Sequence, residues 1–465
     1  MRNNQVQKPA SLFPSDEALG LLTDFYELTM SAGYWSLQHN PQATFEAFVR
    51  ILPENRQYLI AAGLEQAIHY LLNLRFTGDE IDYLRGVTVF DNVNPGFWDY
   101  LAGFRFRGDL WAVPEGTVVF ANEPMVRAGG TLLECQLIET CLLTSLNIQT
   151  LVATKASRVC TAAQGRSVVD FGARRAHGPQ AGLLAARASY IGGCVGASNV
   201  LAAKWLNIPP IGTQAHSWIM SFDNEQQSFE AYAKVFPKDT ICLIDTYNTT
   251  EGAHRAIKVG KLLRGVRLDS GNLVKLSKQV RKILDQAGLT ETKIVASSDL
   301  NEYTIRELLA GGAEIDIFGV GTDMVTSKDA PALSVVYKLV EIDDGHGHLR
   351  SVCKSSTDKV TIGGAKQTFR RRDREGKFCG DTIGLADEKL EGEPLMAKAM
   401  ASGELTDELP DLEAIRRRAR GQISALPAHL LDLRGSADYP VEYSEKLRIQ
   451  RDIAGGGSDD GKKEI

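Results

Sequence analysis

The sequence predicts an α/β fold whose central part is an irregular (β/α) barrel, and three observations carry the prediction. Between about residue 150 and residue 337, short apolar runs recur, each ending in Gly, Asp, Ser or Thr. Helical segments separate several of these runs, which is the rhythm of parallel βαβ units. The polar residues that stand out come from many run ends rather than from one crevice, as they do where the loops after successive strands gather on one face of a barrel. An open doubly wound sheet shares the rhythm; the spread of polar strand ends favours the barrel.

Taken in order, Met1–Ser11 is polar and lacks the apolar centre of a signal peptide. From Leu21 to about Asn147 the pattern is mixed α+β: Thr44–Ile51 alternates like a strand and Gly63–Leu74 has helical spacing. The strand candidates of the repeating region are Val168–Phe171, Ile241–Ile244, Gly265–Leu268, Ile294–Ala296 and Ile315–Val320. Helices are expected at Ser198–Leu206, Thr249–Leu263, Leu273–Ala287 and Glu302–Leu309. After about Val340 come turns, a basic stretch in which Arg370–Arg372 reads as a solvated strand end, and a helix around Leu412–Leu426. Ala454–Ile465 is rich in Gly and charge and is expected to be disordered. Gly456–Lys462 matches the phosphate-loop spacing, but Lys463 follows where Ser or Thr is needed and no strand precedes it, so it reads as a chance match.

Composition narrows the function classes. The 465 residues are 43% hydrophobic and 24% charged, with a formal net charge of −6. That balance argues against nucleic acid or anionic lipid as a general partner. No apolar run approaches bilayer-spanning length, so the expectation is a cytoplasmic protein with small-molecule substrates. The seven cysteines are scattered without a Cys-x-x-Cys, which suits reduced thiols. Gly345–His348 carries two histidines but reads as a polar hairpin turn rather than a metal site.

Five clusters at strand ends suggest a site for a polyanion. They are Val169–Arg175, Gly212–Ser217, Val266–Gly271, Ser297–Asp299 and Gly319–Thr322. Backbone N–H groups at Gly319, Gly321 and Thr322 could cradle phosphate. Arg174, Arg175 and Arg267 could meet phosphate or carboxylate with two parallel hydrogen bonds. Asp269 could hold sugar hydroxyls or a magnesium ion, which takes only one or two protein carboxylates beside substrate phosphates. Each has a plainer reading: strand-end glycines make turns, paired arginines face solvent, and Asp269 or Ser270 could cap the helix at Leu273. His216 alone would more often be structural. The clusters weigh more together, on successive strand ends, than singly.

Six segments, Leu22–Met30, Asp170–Arg175, Gly212–Ser217, Arg267–Gly271, Gly319–Thr322 and Lys359–Lys366, resemble in order and spacing the nicotinate phosphoribosyltransferases, a type II phosphoribosyltransferase family. The resemblance runs from about Leu21 to about Arg451. It implies a homodimer with a shared active site, an irregular barrel, and a second α+β domain built from both chain ends. The corresponding divisions are 12–147, 148–338 and 339–453, with 454–465 as tail. The implied reaction joins nicotinate to 5-phosphoribosyl 1-diphosphate, with ATP hydrolysis coupled through a phosphohistidine at His216 and with Mg2+. On this resemblance Tyr26, Thr213, Arg267 and Phe171 bind nicotinate, with Tyr26 reaching in from the partner subunit. Arg174, Ser297, Gly319, Gly321, Thr322 and Thr361 bind the phosphoribosyl substrate, and Asp269 is catalytic and metal-binding alongside His216 and Arg267. Ser198 stands where nicotinamide-using relatives carry an aspartate, and a neutral hydroxyl there would not repel nicotinate. His177 departs from the family's usual glutamine.

Overall fold

The protein is described from a computed structural model covering residues 19–354, 362–433, 435 and 438–454. The apolar runs of the repeating region form a parallel five-stranded sheet in the order Ser167–Asp170, Ile317–Val320, Lys293–Ala296, Leu263–Leu268, Thr240–Leu243. Val168, Val266, Leu268, Ile294, Ala296 and Phe318 are buried in one core with the flanking helices. Strands covered on both faces read as continuous apolar runs, and for that reason these five were visible in sequence.

The sheet does not close into a barrel by backbone pairing. Past Asp170 it continues only as single parallel bridges, Asp170 to Ala197 and Ala197 to Pro210. Pro209 and Pro210 have no N–H to give a ladder. Where a further strand would have to reach Thr240–Leu243, the side chain of Gln214 does so instead, its Oε1 accepting the Leu243 N–H at 3.3 Å.

A second, seven-stranded sheet mixes distant parts of the chain. Its order is Leu349–Ser351, Val335–Asp343, Gln42–Val49, Pro124–Thr131, Asp109–Ala112, Ala397–Ala401, Glu404–Leu405. The strand Gln42–Val49 pairs antiparallel on both sides, and seven of its eight residues are buried, so it is a central strand rather than a half-solvated one. The helix Glu139–Ala162 joins the two cores. Its Cys141, Leu142 and Leu146 pack into the core of the seven-stranded sheet, and its Ala156 and Val159 into that of the parallel sheet.

Three local readings meet the structure differently. Gly345–His348 is a hairpin turn: the Asp344 N–H donates to the His348 carbonyl, between the strands Val335–Asp343 and Leu349–Ser351. The helix Leu273–Gln286 is capped by Asn272, whose side chain accepts the Lys275 N–H at 3.0 Å, so neither Asp269 nor Ser270 is spent on capping. Arg370 is not a solvated strand end. It is 1% exposed, pairs with Asp381 on the facing strand Phe378–Leu385, and lies 4.5 Å from the Phe378 ring centre. The Gly456–Lys462 match lies outside the described residues, as does the expected tail apart from Ala454, which ends the helix Glu445–Ala454.

Candidate active site

The C-terminal ends of the parallel strands open into a cavity of about 750 Å³. Ten of the expected residues line it: Phe171, Arg174, Thr213, His216, Arg267, Asp269, Ser297, Gly319, Gly321 and Thr322. Arg175, Ser198 and Asp299 line it as well. Tyr26 does not reach it within the chain; it sits in the first turn of the helix Phe25–Ser36 with its side chain half out of the molecule. Thr361 lies outside the described residues. His177 lines a separate, more apolar cavity with Thr140 and Ser327.

Arg267 leaves the strand Leu263–Leu268 and is held by neighbours before any ligand arrives. Its guanidinium donates to the Thr213 hydroxyl and to the Gln214 carbonyl at 3.1 Å. Its other terminal nitrogen stands 3.6 Å from Asp269 Oδ1. Burial lowers its pKa, the carboxylates of Asp269 and Asp245 oppose that, and Arg174 adds repulsion. Guanidinium remains charged in proteins, so the shift means a cation short of counter-charge. A ligand carboxylate or phosphate would supply it.

Asp269 is held by both its side chain and its backbone. Ser297 Oγ donates to its Oδ1. Its own backbone N–H donates to Asp245 Oδ2 at 2.9 Å, and Ser270 Oγ donates to the same oxygen at 2.6 Å. His216 begins the short helix His216–Met220. Its Nδ1 meets the Thr246 hydroxyl at 3.1 Å, and its Nε2 faces Asp269 Oδ2 at 3.7 Å. The ring is thereby oriented with one nitrogen toward the cavity.

Asp245 and Thr246 were missed in the sequence. The signal was present, because the run Ile241–Ile244 ends in Asp as its neighbours end in polar residues. Asp245 also keeps Oδ1 buried without a hydrogen-bond partner. Gly319 also has a packing role that the sequence did not show. It is paired within the sheet with Val169, and a Cβ there would lie 2.4 Å from Phe171 Cδ2, so it makes room for the aromatic ring. Ser298 adopts φ 117°, a conformation L-residues rarely take, at the turn beside Ser297 and Asp299. Strain of that kind concentrates at functional sites. Asp170, beneath the cavity, takes the Gly172 N–H at 2.7 Å, and burial pushes its carboxyl up to about 6.

Comparison with known proteins agrees over nearly the whole chain. Residues 21–147, 166–377 and 389–450 match the N-terminal domain, the family core and the C-terminal domain described for nicotinate phosphoribosyltransferase. The nicotinate phosphoribosyltransferase pncB2 of Mycobacterium tuberculosis is 46% identical over 435 residues, covering 92% of each chain. That of Bacillus subtilis is 38% identical over 463 residues, covering 92% of this chain and 94% of the relative. The crystal structure of human nicotinic acid phosphoribosyltransferase superposes with a TM-score of 0.82 at 28% identity, covering 93% of this chain and all of that one. With its cationic cavity at the strand ends and these matches along its length, the chain belongs to the nicotinate phosphoribosyltransferase family.

Proposed function

We propose that the chain joins nicotinate to 5-phosphoribosyl 1-diphosphate, forming nicotinate mononucleotide and diphosphate, with ATP hydrolysis coupled through a phosphate carried on His216. The observation that supports it most is the pairing of Arg267 with Thr213 in the cavity that also holds His216 and Asp269. The nicotinate carboxylate fits the under-compensated Arg267, and its ring fits against Phe171, with Tyr26 of a second subunit on the other face. The pyridine nitrogen then attacks the anomeric carbon as the bond to diphosphate breaks. Arg174, Ser297, Gly319, Gly321, Thr322 and Thr361 are assigned to the phosphoribosyl substrate.

The work is chiefly positioning and charge stabilisation, because an oxocarbenium-like centre forms while an anion leaves. Asp269 is suited to the developing positive charge or to a ribose hydroxyl. Histidine is a competent covalent acceptor of phosphoryl groups, and the Thr246 contact leaves His216 Nε2 facing the cavity. Magnesium fits here: Asp269 and the exposed Asp299 share the wall with Arg174 and Arg175, matching an ion held by few carboxylates plus phosphates. When bound it would offset diphosphate charge. Ser198 leaves the wall neutral where a carboxylate would repel nicotinate. The same reading makes the protein a cytoplasmic homodimer in NAD synthesis; among the described residues no helix is long and apolar enough to cross a membrane.

The test is product formation from nicotinate, nicotinamide and quinolinate in parallel, with 5-phosphoribosyl 1-diphosphate and magnesium, with and without ATP, followed by mass spectrometry. Nicotinate mononucleotide should form mainly from nicotinate, faster with ATP, and His216→Ala should abolish the ATP stimulation. Preference for another pyridine would overturn the role given to Ser198. ATP stimulation surviving in His216→Ala would overturn the phosphohistidine.

A further inference from the structure

Gln214 lies between Thr213 and His216 on the loop that edges the cavity, and it is turned inward. The flanking Gly212 and Ala215 are exposed, whereas Gln214 is 3% exposed. It reaches two places at once. Its side-chain Oε1 accepts the Leu243 N–H at 3.3 Å, and its backbone carbonyl accepts from Arg267 Nη1 at 3.1 Å.

The two places are joined. Leu243 and Arg267 are register partners on the parallel strands Thr240–Leu243 and Leu263–Leu268. Thr240–Leu243 is the edge strand, and on its open side the Leu243 N–H goes to Gln214. One residue therefore anchors the sheet edge by its side chain and holds the guanidinium of the adjacent strand by its backbone. The Thr213 hydroxyl accepts from the same Arg267 nitrogen, so the two polar side chains assigned to nicotinate are both tied to this bridge.

The bridge is also neutral, at a cost. Gln214 Nε2 is buried without a hydrogen-bond partner among the described residues, and an unpaired buried donor is destabilising. A carboxylate has no donor to leave unpaired, and it would take the Leu243 N–H in a stronger, charge-assisted bond. What the amide avoids is a second negative charge beside Arg267. That guanidinium keeps its Nε buried and unpartnered among the described residues. Its ion pair with Asp269 spans 3.6 Å, to an oxygen that also accepts from Ser297. A charge on the side chain of residue 214 would lie within about 10 Å of it, a distance over which buried charges are little screened. The cation would then be satisfied from inside the protein and would attract a ligand anion less.

We infer that Gln214 is a specificity-determining residue for the anionic pyridine: it spans the open seam of the sheet with a neutral group, holding Thr213 and Arg267 together while leaving the charge of Arg267 to the ligand carboxylate. This rests on the reading that Arg267 receives the carboxylate of nicotinate. Gln214 acts through Arg267 and Thr213 rather than on the substrate.

The experiment compares Gln214→Glu, Gln214→Met and Arg267→Gln in the full-length protein, with the nicotinate KM, kcat and Tm measured for each. Gln214→Glu keeps the acceptor for Leu243, so Tm should not fall. Its nicotinate KM should nevertheless rise at least about ten-fold, roughly 1.4 kcal/mol. Gln214→Met is neutral but loses the acceptor, so its Tm should fall while the nicotinate KM rises only about three-fold. The order of the two variants in KM is thus the reverse of their order in Tm, which a merely structural role would not produce. A wild-type nicotinate KM in Gln214→Glu, or KM losses that follow the Tm losses, overturn the inference. Should Gln214→Glu fail to fold, a wild-type nicotinate KM in Gln214→Met overturns it, because the bridge then holds nothing that nicotinate uses. Arg267→Gln separates the two levels: if it leaves the nicotinate KM unchanged, the reading of Arg267 fails and the inference with it. If it raises that KM while Gln214→Glu does not, the inference alone fails.

Discussion

Gly319 shows how closely the cavity is packed at the scale of single residues. A methyl group there meets Phe171 ring carbons at 2.4 and 2.6 Å, so the ring must move or the strand must shift. Overpacking of this kind costs about 1–3 kcal/mol. Gly319→Ala is expected to stay folded, with a Tm lower by a few degrees, and to lose at least about ten-fold in kcat/KM for nicotinate through the displaced Phe171. Steady-state kinetics beside a thermal melt checks this. Arg267 and Asp269 could be read from the sequence because they sit at the end of a short apolar run, and His216 because it stands on a Gly-started loop flanked by hydroxyls. Asp245 ends such a run too, but that position does not show what it or Thr246 does. Their importance is a hydrogen bond to a neighbouring strand end or its loop, to the Asp269 N–H in one case and to His216 Nδ1 in the other.

Among the elements, the helix Glu302–Ala310 depends on a buried charge network. Lys155 Nζ lies 2.7 Å from Glu302 Oε2 and 2.8 Å from Asp329 Oδ1, Arg158 Nε lies 3.1 Å from Glu302 Oε1, and Arg56 pairs with Asp329 at 2.9 Å. Three buried cations thus face the buried Glu302 and the partly exposed Asp329. Removing one partner of a buried pair costs about 3–5 kcal/mol, because the others remain desolvated. Glu302→Gln should lower stability by that amount in urea unfolding. It should also reduce activity, as the turn Ser297–Asp299 leads directly into this helix. Burial would raise the Asp329 carboxyl, but Arg56 and Lys155 hold it well below the usual carboxylate range. A depressed carboxyl contributes stability above its unfolded pKa, near 4, and loses it as pH falls through the folded value. Asp329 should therefore stabilise fully from pH 8 to about 5, and Asp329→Asn should flatten the acid limb below about pH 4. Nothing in sequence marked this network, since its members are spread from Arg56 to Asp329 and each looks like an ordinary surface charge.

The whole molecule raises the question of where Tyr26 works. It lies outside the cavity of its own chain, on a helix with Leu22, Phe25 and Met30 exposed near it. If it serves the cavity of a second copy, Tyr26→Ala and His216→Ala should complement each other. Mixed one to one and allowed to exchange subunits, half the dimers are mixed, and each has one site with both defects and one with neither. About a quarter of wild-type activity should return; none would return if each site is complete in one chain.

By itself the sequence determined the five strands of the repeating region and four of its helices, because burial on both faces and helical period leave local marks, but not the helices Pro179–Ile191 and Glu225–Val235. It likewise marked Arg267 and Asp269 at a strand end and His216 on a loop of the same region. Tertiary structure alone decided what those marks could not show. Closure of the parallel sheet fails because Pro209 and Pro210 cannot donate to a ladder, and Gln214 bridges by its side chain instead. Arg370 is internal because Asp381 stands opposite it on the paired strand. Whether a charge is solvated or paired depends on residues brought near by strand register and packing, and local periodicity carries no record of them.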